Sequence, residues 1–227
     1  MTYFSDVAAL ARKDLLLELR AKETLPAMLL FVLAALTIFH FVVPTLPNVR
    51  CGAGCKATLE ENRELATLGL LWIALIFTAL LGLTRAFVPE REQGTMDALV
   101  LAPSDRSAIW LAKSLAVFAF LAVAEVLALP AFALFFSGID GRTVAAVALA
   151  DVGICAVGTL TGAMAVAGRA RELILPLLFL PLAIPVVVGG VGASAGAGGR
   201  YLGFLALYDA VFALLAWASF EYVVAEV

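Results

Sequence analysis

The chain has 227 residues, of which 63% are hydrophobic, 15 basic and 18 acidic, for a formal net charge of −3. Soluble domains carry about 45–50% apolar and about 25% charged residues, so this composition excludes an ordinary soluble enzyme and a disordered protein, and it offers no basic footprint for nucleic acid. The apolar residues come in unbroken runs, which excludes a β-barrel and leaves an all-α integral membrane protein in a lipid bilayer.

The first element predicted is a helix lying on the membrane, within residues 1–24. Phe4, Val7, Ala8, Ala11, Leu15 and Leu19 share one face at helical spacing, with Asp6, Lys13 and Arg20 opposite. Six apolar runs follow, at about 25–43, 65–88, 109–136, 144–167, 173–190 and 201–225. Each is long enough to cross a bilayer as a helix. Only short loops separate them, so residues 1–227 read as a single transmembrane domain. The start is acidic as well as basic, and the first run begins late and is long, so no cleaved signal peptide is expected.

Between spans two and three, Pro89 and its charged neighbours stop the span and Gly94 permits a sharp turn. Thr95 can cap a short helix that carries Met96, Leu99 and Val100 on one face, and Pro103 ends it. Ser104 can cap the next helix, with Asp105 near its positive end. A short helix held between two spans can dock in a groove on a partner and carry a force; an ordinary interfacial turn is the alternative. Glu125 in span three, Asp151 in span four and Asp209 in span six are acids inside hydrocarbon, with no Lys or Arg at their depth. Each should face the bundle interior, protonated or hydrogen-bonded, with Thr159, Thr161, Tyr208 and Ser219 as polar neighbours. Glu125 is expected to lie deepest. The arrangement is a polar cavity opening outward, a site that couples protonation to movement, or a structural hydrogen bond between helices. Pro176, Pro181 and Pro185 should kink span five and free carbonyls for neighbouring helices. The Gly- and Ala-rich stretch Gly189 to Gly199 is expected to end that span and turn as a flexible loop.

Lys and Arg number ten in the N-terminal segment and the loops on its side, and five on the other side. Both termini are therefore expected in the cytoplasm.

The segment Glu90-Arg-Glu-Gln-Gly-Thr-Met-Asp-Ala-Leu-Val-Leu-Ala-Pro103 resembles the coupling loop of six-span ABC exporter permeases. Leu175-Pro-Leu-Leu-Phe-Leu-Pro-Leu-Ala-Ile-Pro185 and the start Ala11-Arg-Lys-Asp-Leu-Leu-Leu-Glu-Leu-Arg20 are similar to the haem exporter protein B family (CcmB), the permease of cytochrome c maturation. The resemblance covers nearly the whole chain. It implies a homodimeric permease of the bacterial inner membrane, paired with cytoplasmic CcmA-type ATPase subunits that bind the ATP. It also implies association with a haem-handling membrane protein (CcmC-type) and release of a haem chaperone (CcmE-type), with haem as a cargo. Glu90, Arg91, Gly94, Met96, Asp97, Leu99, Val100 and Pro103 would then meet the ATPase. The chain has no Gly-x-x-x-x-Gly-Lys-Ser/Thr loop, in keeping with a separate ATPase.

His40, the sole histidine, lies at the outer end of span one. Haem can take a histidine ligand, but an interfacial anchor is the commoner role, and the expectation is that partners supply the axial ligands. Cys51 and Cys55, in Cys-Gly-Ala-Gly-Cys, are placed on the outer side, where a disulfide can form; a redox-active pair is the alternative. They do not make a zinc site, and no metal is expected. Cys155 reads as a small buried apolar residue.

No His-Glu-x-x-His motif occurs, and a single histidine leaves little for metal catalysis, which argues against an enzyme with catalytic residues of its own. The leading expectation is a permease subunit that couples a partner's ATP hydrolysis to haem handling. A permease for another cargo, such as a drug or a glycolipid, and a non-transporting scaffold are the alternatives.

Overall fold

The computed structural model describes residues 3–43, 53–87, 105–136, 139–167, 171–196 and 198–225. These residues form seven helices: α1 (Tyr3–Ala21), α2 (Thr24–Val42), α3 (Ala53–Arg85), α4 (Arg106–Phe135), α5 (Gly141–Ala167), α6 (Arg171–Ser194) and α7 (Gly198–Ala225). Six of them, α2 to α7, are long and apolar enough to cross a membrane, so the chain is a multi-pass membrane protein. α3 has 33 residues, about 50 Å of helix against about 30 Å of hydrocarbon, so its first turns project beyond the bilayer. The six spans leave two faces: one carries α1, and the other, the far face, carries the starts of α3, α5 and α7.

α5 is the axis of the bundle. Of its most apolar window 67% is buried, against 17% for α2 and 22% for α7. It packs on α7, α6, α4 and α3. Its sequence explains this. In lipid there is no hydrophobic drive between helices, so spans associate where small residues let them approach closely. α5 offers Ala146, Ala150, Ala156, Ala163 and Ala165, all buried, and three glycines that receive larger side chains from neighbours. Tyr208 lies over Gly153, Leu83 over Gly158, and Phe87 with Leu175 over Gly162. At Gly158 any β-carbon would overlap the Leu83 side chain.

The stretch expected to turn after Gly189 instead continues α6 to Ser194. Gly189, Gly190 and Gly192 are contact glycines: Leu205 and Phe204 pack on the first, the Trp72 indole on the second and the Tyr201 ring on the third. Reading Gly and Ala as loop-forming failed because in lipid they are helix-packing residues. The real turn lies at Gly196, whose φ of +95° is natural for glycine. α6 also runs through Pro176, Pro181 and Pro185. Pro185 removes the donor that the carbonyl of Pro181 would take, and one residue on Tyr208 Oη donates to the Leu182 carbonyl at 2.7 Å.

The apolar face expected on α1 is divided. Val7 and Ala11 are buried against Ala108 and Ala112 of α4. Phe4 and Leu19 stay exposed, 77% and 53%. Asp105 occupies the N-cap position of α4 without a side-chain capping bond, and its carbonyl takes the Ala108 N–H at 2.8 Å; Ser104 lies outside the described residues.

Replacing Gly158 with Val forces Leu83 out of its place. Overpacking of this kind costs about 1–3 kcal/mol. A lowered midpoint of thermal unfolding in detergent, with membrane insertion unchanged, is the expected outcome. Gly69, which has open space around it, should accept the same change.

Candidate functional site

At the α1 face, one lysine joins three helices. Lys113 lies seven residues inside α4, and its side chain is only 5% exposed. Its Nζ meets Asp14 Oδ2 of α1 at 3.0 Å and donates to the Ala86 carbonyl at 2.8 Å, with the Phe87 ring 5.3 Å below. Asp14 Oδ1 also meets Lys13 at 3.1 Å. Around this centre Glu18 Oε1 accepts the Thr24 N–H at 3.1 Å, and Arg85 pairs with Glu23. Arg106 reaches the Glu221 carbonyl at 3.4 Å, and Trp110 Nε1 donates to the Ala156 carbonyl at 3.2 Å. Ala86 and Phe87 immediately precede segment 88–104, and Asp105 follows it. Both ends of that segment are thus braced against α1 and α5. The sequence reading missed this centre because it counted Lys113 as a loop charge and gave Asp14 no role. The available signal was spacing: Val7, Leu10 and Asp14 lie on one α1 face, beside the one that the apolar pattern had singled out.

The residues expected to contact an ATPase (Glu90, Arg91, Gly94, Met96, Asp97, Leu99, Val100 and Pro103) lie outside the described residues, as does Cys51. Cys55 falls within α3, but its side chain is outside the description. Cys155 is a buried free thiol, as expected.

The three acids of the spans are buried, at 7% (Glu125), 3% (Asp151) and 7% (Asp209) exposure. Glu125 of α4 and Asp151 of α5 lie close enough to interact. Asp209 is not part of the pair. It lies over Gly153, about 200° round α5 from Asp151, and neither of its oxygens has a hydrogen-bond partner among the described residues. Glu125 is not the deepest of the three. α5 and α7 each begin three residues earlier than the hydropathy suggested, so every acid lies ten or eleven residues from the far end of its helix. The hydroxyls bond elsewhere: Thr159 with the Cys155 carbonyl (2.7 Å) and Ser114 (2.8 Å), and Thr161 with the Val157 carbonyl (3.0 Å).

At the far face a cavity of about 530 Å³ opens between α2, α3, α4 and α5. Phe132, Phe135, Phe136 and Ile139 form an apolar wall, and His40, Arg63, Thr67 and Asp140 bring polar groups. Asp140 caps α5: Oδ1 accepts the Thr143 N–H and hydroxyl, both at 2.8 Å. These donors hold its carboxyl below the usual carboxylate range.

A family model described as CcmB protein matches residues 5–224. The chain belongs to the CcmB family. Among its relatives is "Heme exporter protein B" of Pseudomonas aeruginosa, 36% identical over 139 residues, which cover 59% of this chain and 62% of that protein. The protein of the same name from Rhodobacter capsulatus is 30% identical over 80% of this chain and 79% of its own length. That of Bradyrhizobium diazoefficiens is 28% identical over 83% and 80%.

Removing Asp14 from this CcmB family member leaves a buried ammonium short of its anion. Loss of one partner of a buried pair costs about 3–5 kcal/mol. Asp14→Ala should therefore lower the unfolding midpoint strongly, and Asp14→Ala with Lys113→Met should recover part of the loss. At Asp140 the sign follows from its depressed acidity. The capping contribution is full above the ordinary carboxylate range and is lost as pH falls through the folded-state value. Asp140→Ala should cost about 1 kcal/mol at pH 7, and the gap to wild type should narrow towards pH 3, read by thermal unfolding.

Proposed function

We propose that the chain is the permease subunit of an ATP-driven ABC exporter complex in cytochrome c maturation. It works as a homodimer in the bacterial inner membrane, with both termini and the α1 face in the cytoplasm. A CcmA-type ATPase docks on segment 88–104, and its hydrolysis of ATP drives haem handling, together with CcmC-type and CcmE-type partners. The cargo assignment is supported by the relatives' shared name. The reading itself rests on one observation: Lys113 ties the end of α3, the start of α4 and the interfacial helix together at the two ends of that segment.

That brace has a mechanical consequence. A push on a loop with loose ends is absorbed by the loop. With both ends held, it becomes a displacement of α3 and α4 together. This is a two-state element that a nucleotide-driven partner can bias.

The test is capture of the co-expressed ATPase by wild type and by Met96→Asp and Leu99→Asp, with membrane insertion checked for each. Both variants are expected to insert and to retain about a tenth or less of the ATPase, as for loss of an apolar anchor. Equal capture by the variants, or no capture by wild type, would sink the coupling reading and favour the scaffold.

A further inference from the structure

We propose that the far-face cavity is a binding site for an iron porphyrin, with His40 as the axial ligand; the proposal rests on the haem-handling reading above. The chemistry of the imidazole comes first. His40 Nδ1 lies 2.8 Å from the Phe135 carbonyl oxygen. A carbonyl only accepts, so Nδ1 carries the proton and Nε2 keeps the lone pair. A hydrogen bond from one ring nitrogen to a backbone carbonyl is the usual way in which a ligating histidine is fixed in tautomer and angle. The ring is further held by Phe41, Phe135 and Phe136, with centroids at 5.6, 5.3 and 5.9 Å. An imidazole serving only as an interfacial anchor needs no such fixing.

The surroundings select the kind of metal. No group of three or more His, Cys, Asp or Glu side chains that could hold a metal ion occurs among the described residues, so a bare ion would find too few ligands gathered together. A metal that brings four nitrogens of its own needs only that one. The cavity suits a flat macrocycle: its volume of about 530 Å³ falls in the range of small-molecule sites, and its wall is phenyl rings. Arg63 lines the same space. A guanidinium has five donors and can serve a propionate beside other partners. Asp140 and Glu64 line the space too, so Arg63 is the group there that can attract an anion, while the Oδ1 of Asp140 is turned to the α5 cap. The sequence alone favoured partners as the source of axial ligands, since a histidine at a span end carries no sign of its orientation.

The experiment is an optical titration of the full chain in lipid nanodiscs with ferric haem, and separately with iron-free protoporphyrin IX, against protein-free nanodiscs. Wild type should give a saturable, red-shifted Soret band. His40→Ala should lose that band and weaken haem binding by about tenfold or more. Added imidazole should restore the band. Protoporphyrin should bind wild type and His40→Ala alike, which also shows that the variant keeps its cavity, and Arg63→Gln should weaken both porphyrins. An unchanged band in His40→Ala overturns the ligand assignment. Haem uptake by wild type no greater than that of empty nanodiscs overturns the site. Either failure alongside intact ATPase capture leaves the permease reading standing; failed capture with a normal titration strikes the permease reading instead.

Discussion

Close approach of helices over the small residues of α5 is the constraint on which the rest of the structure depends. Lipid tails are as apolar as leucine, so the bundle gains nothing from merely hiding leucine side chains. It gains from contact, and contact requires that one partner have little side chain. α5 supplies Gly158 and Gly162 on one side, filled by Leu83 of α3 and Phe87 just beyond it, and Gly153 on the opposite side, filled by Tyr208 of α7. The same device recurs where α6 meets Trp72, Tyr201 and Leu205 through Gly190, Gly192 and Gly189. Helices rich in larger apolar residues, such as α2 and α7, are left at the rim with exposed leucines and phenylalanines facing lipid.

The polar groups follow from this packing. A hydroxyl or carboxyl on a buried face finds no water, so it turns to whatever the neighbouring helix presents. Ser114 and Thr159 meet across the α4–α5 contact, and Tyr208 reaches a carbonyl of the proline-rich α6. Glu125 and Asp151 find each other because both lie at one level on facing helices. Asp209 lies at the same level on the wrong side of α5 and finds only Gly153 and the tyrosine beside it.

Much of this was legible in the sequence. Hydropathy and length mark all six spans, because a bilayer requires long apolar helices and little else has that signature. The burial of the three acids was equally legible, since charge in hydrocarbon admits few alternatives. Pairing was not. Nothing local says that Glu125 faces Asp151 but not Asp209, since that depends on the rotation of each helix about its own axis. Lys113 was hidden for a related reason. In a list of charges it belongs to a loop; its partner Asp14 lies 99 residues away on a helix whose apolar pattern points to the membrane. His40 likewise reads as a span-end residue until the Phe135 carbonyl, 95 residues on, fixes its ring.

These three places share one element. α4 carries Lys113 near its start, Glu125 in its middle and Phe132 and Phe135 at its end. From Lys113 to Glu125 is about 18 Å of helix, and to Phe135 about 33 Å. A helix is stiff along its axis, so a displacement of the braced end reaches the carboxyl pair with little loss. Beyond that level the element changes character. Pro130 interrupts the hydrogen bonding of α4 between Glu125 and Phe135. The half of α4 before Pro130 is tied to α5 by Trp110 and Ser114. The half that walls the cavity lies beyond Pro130, so the carbonyl that orients His40 is separated from the braced end by that interruption.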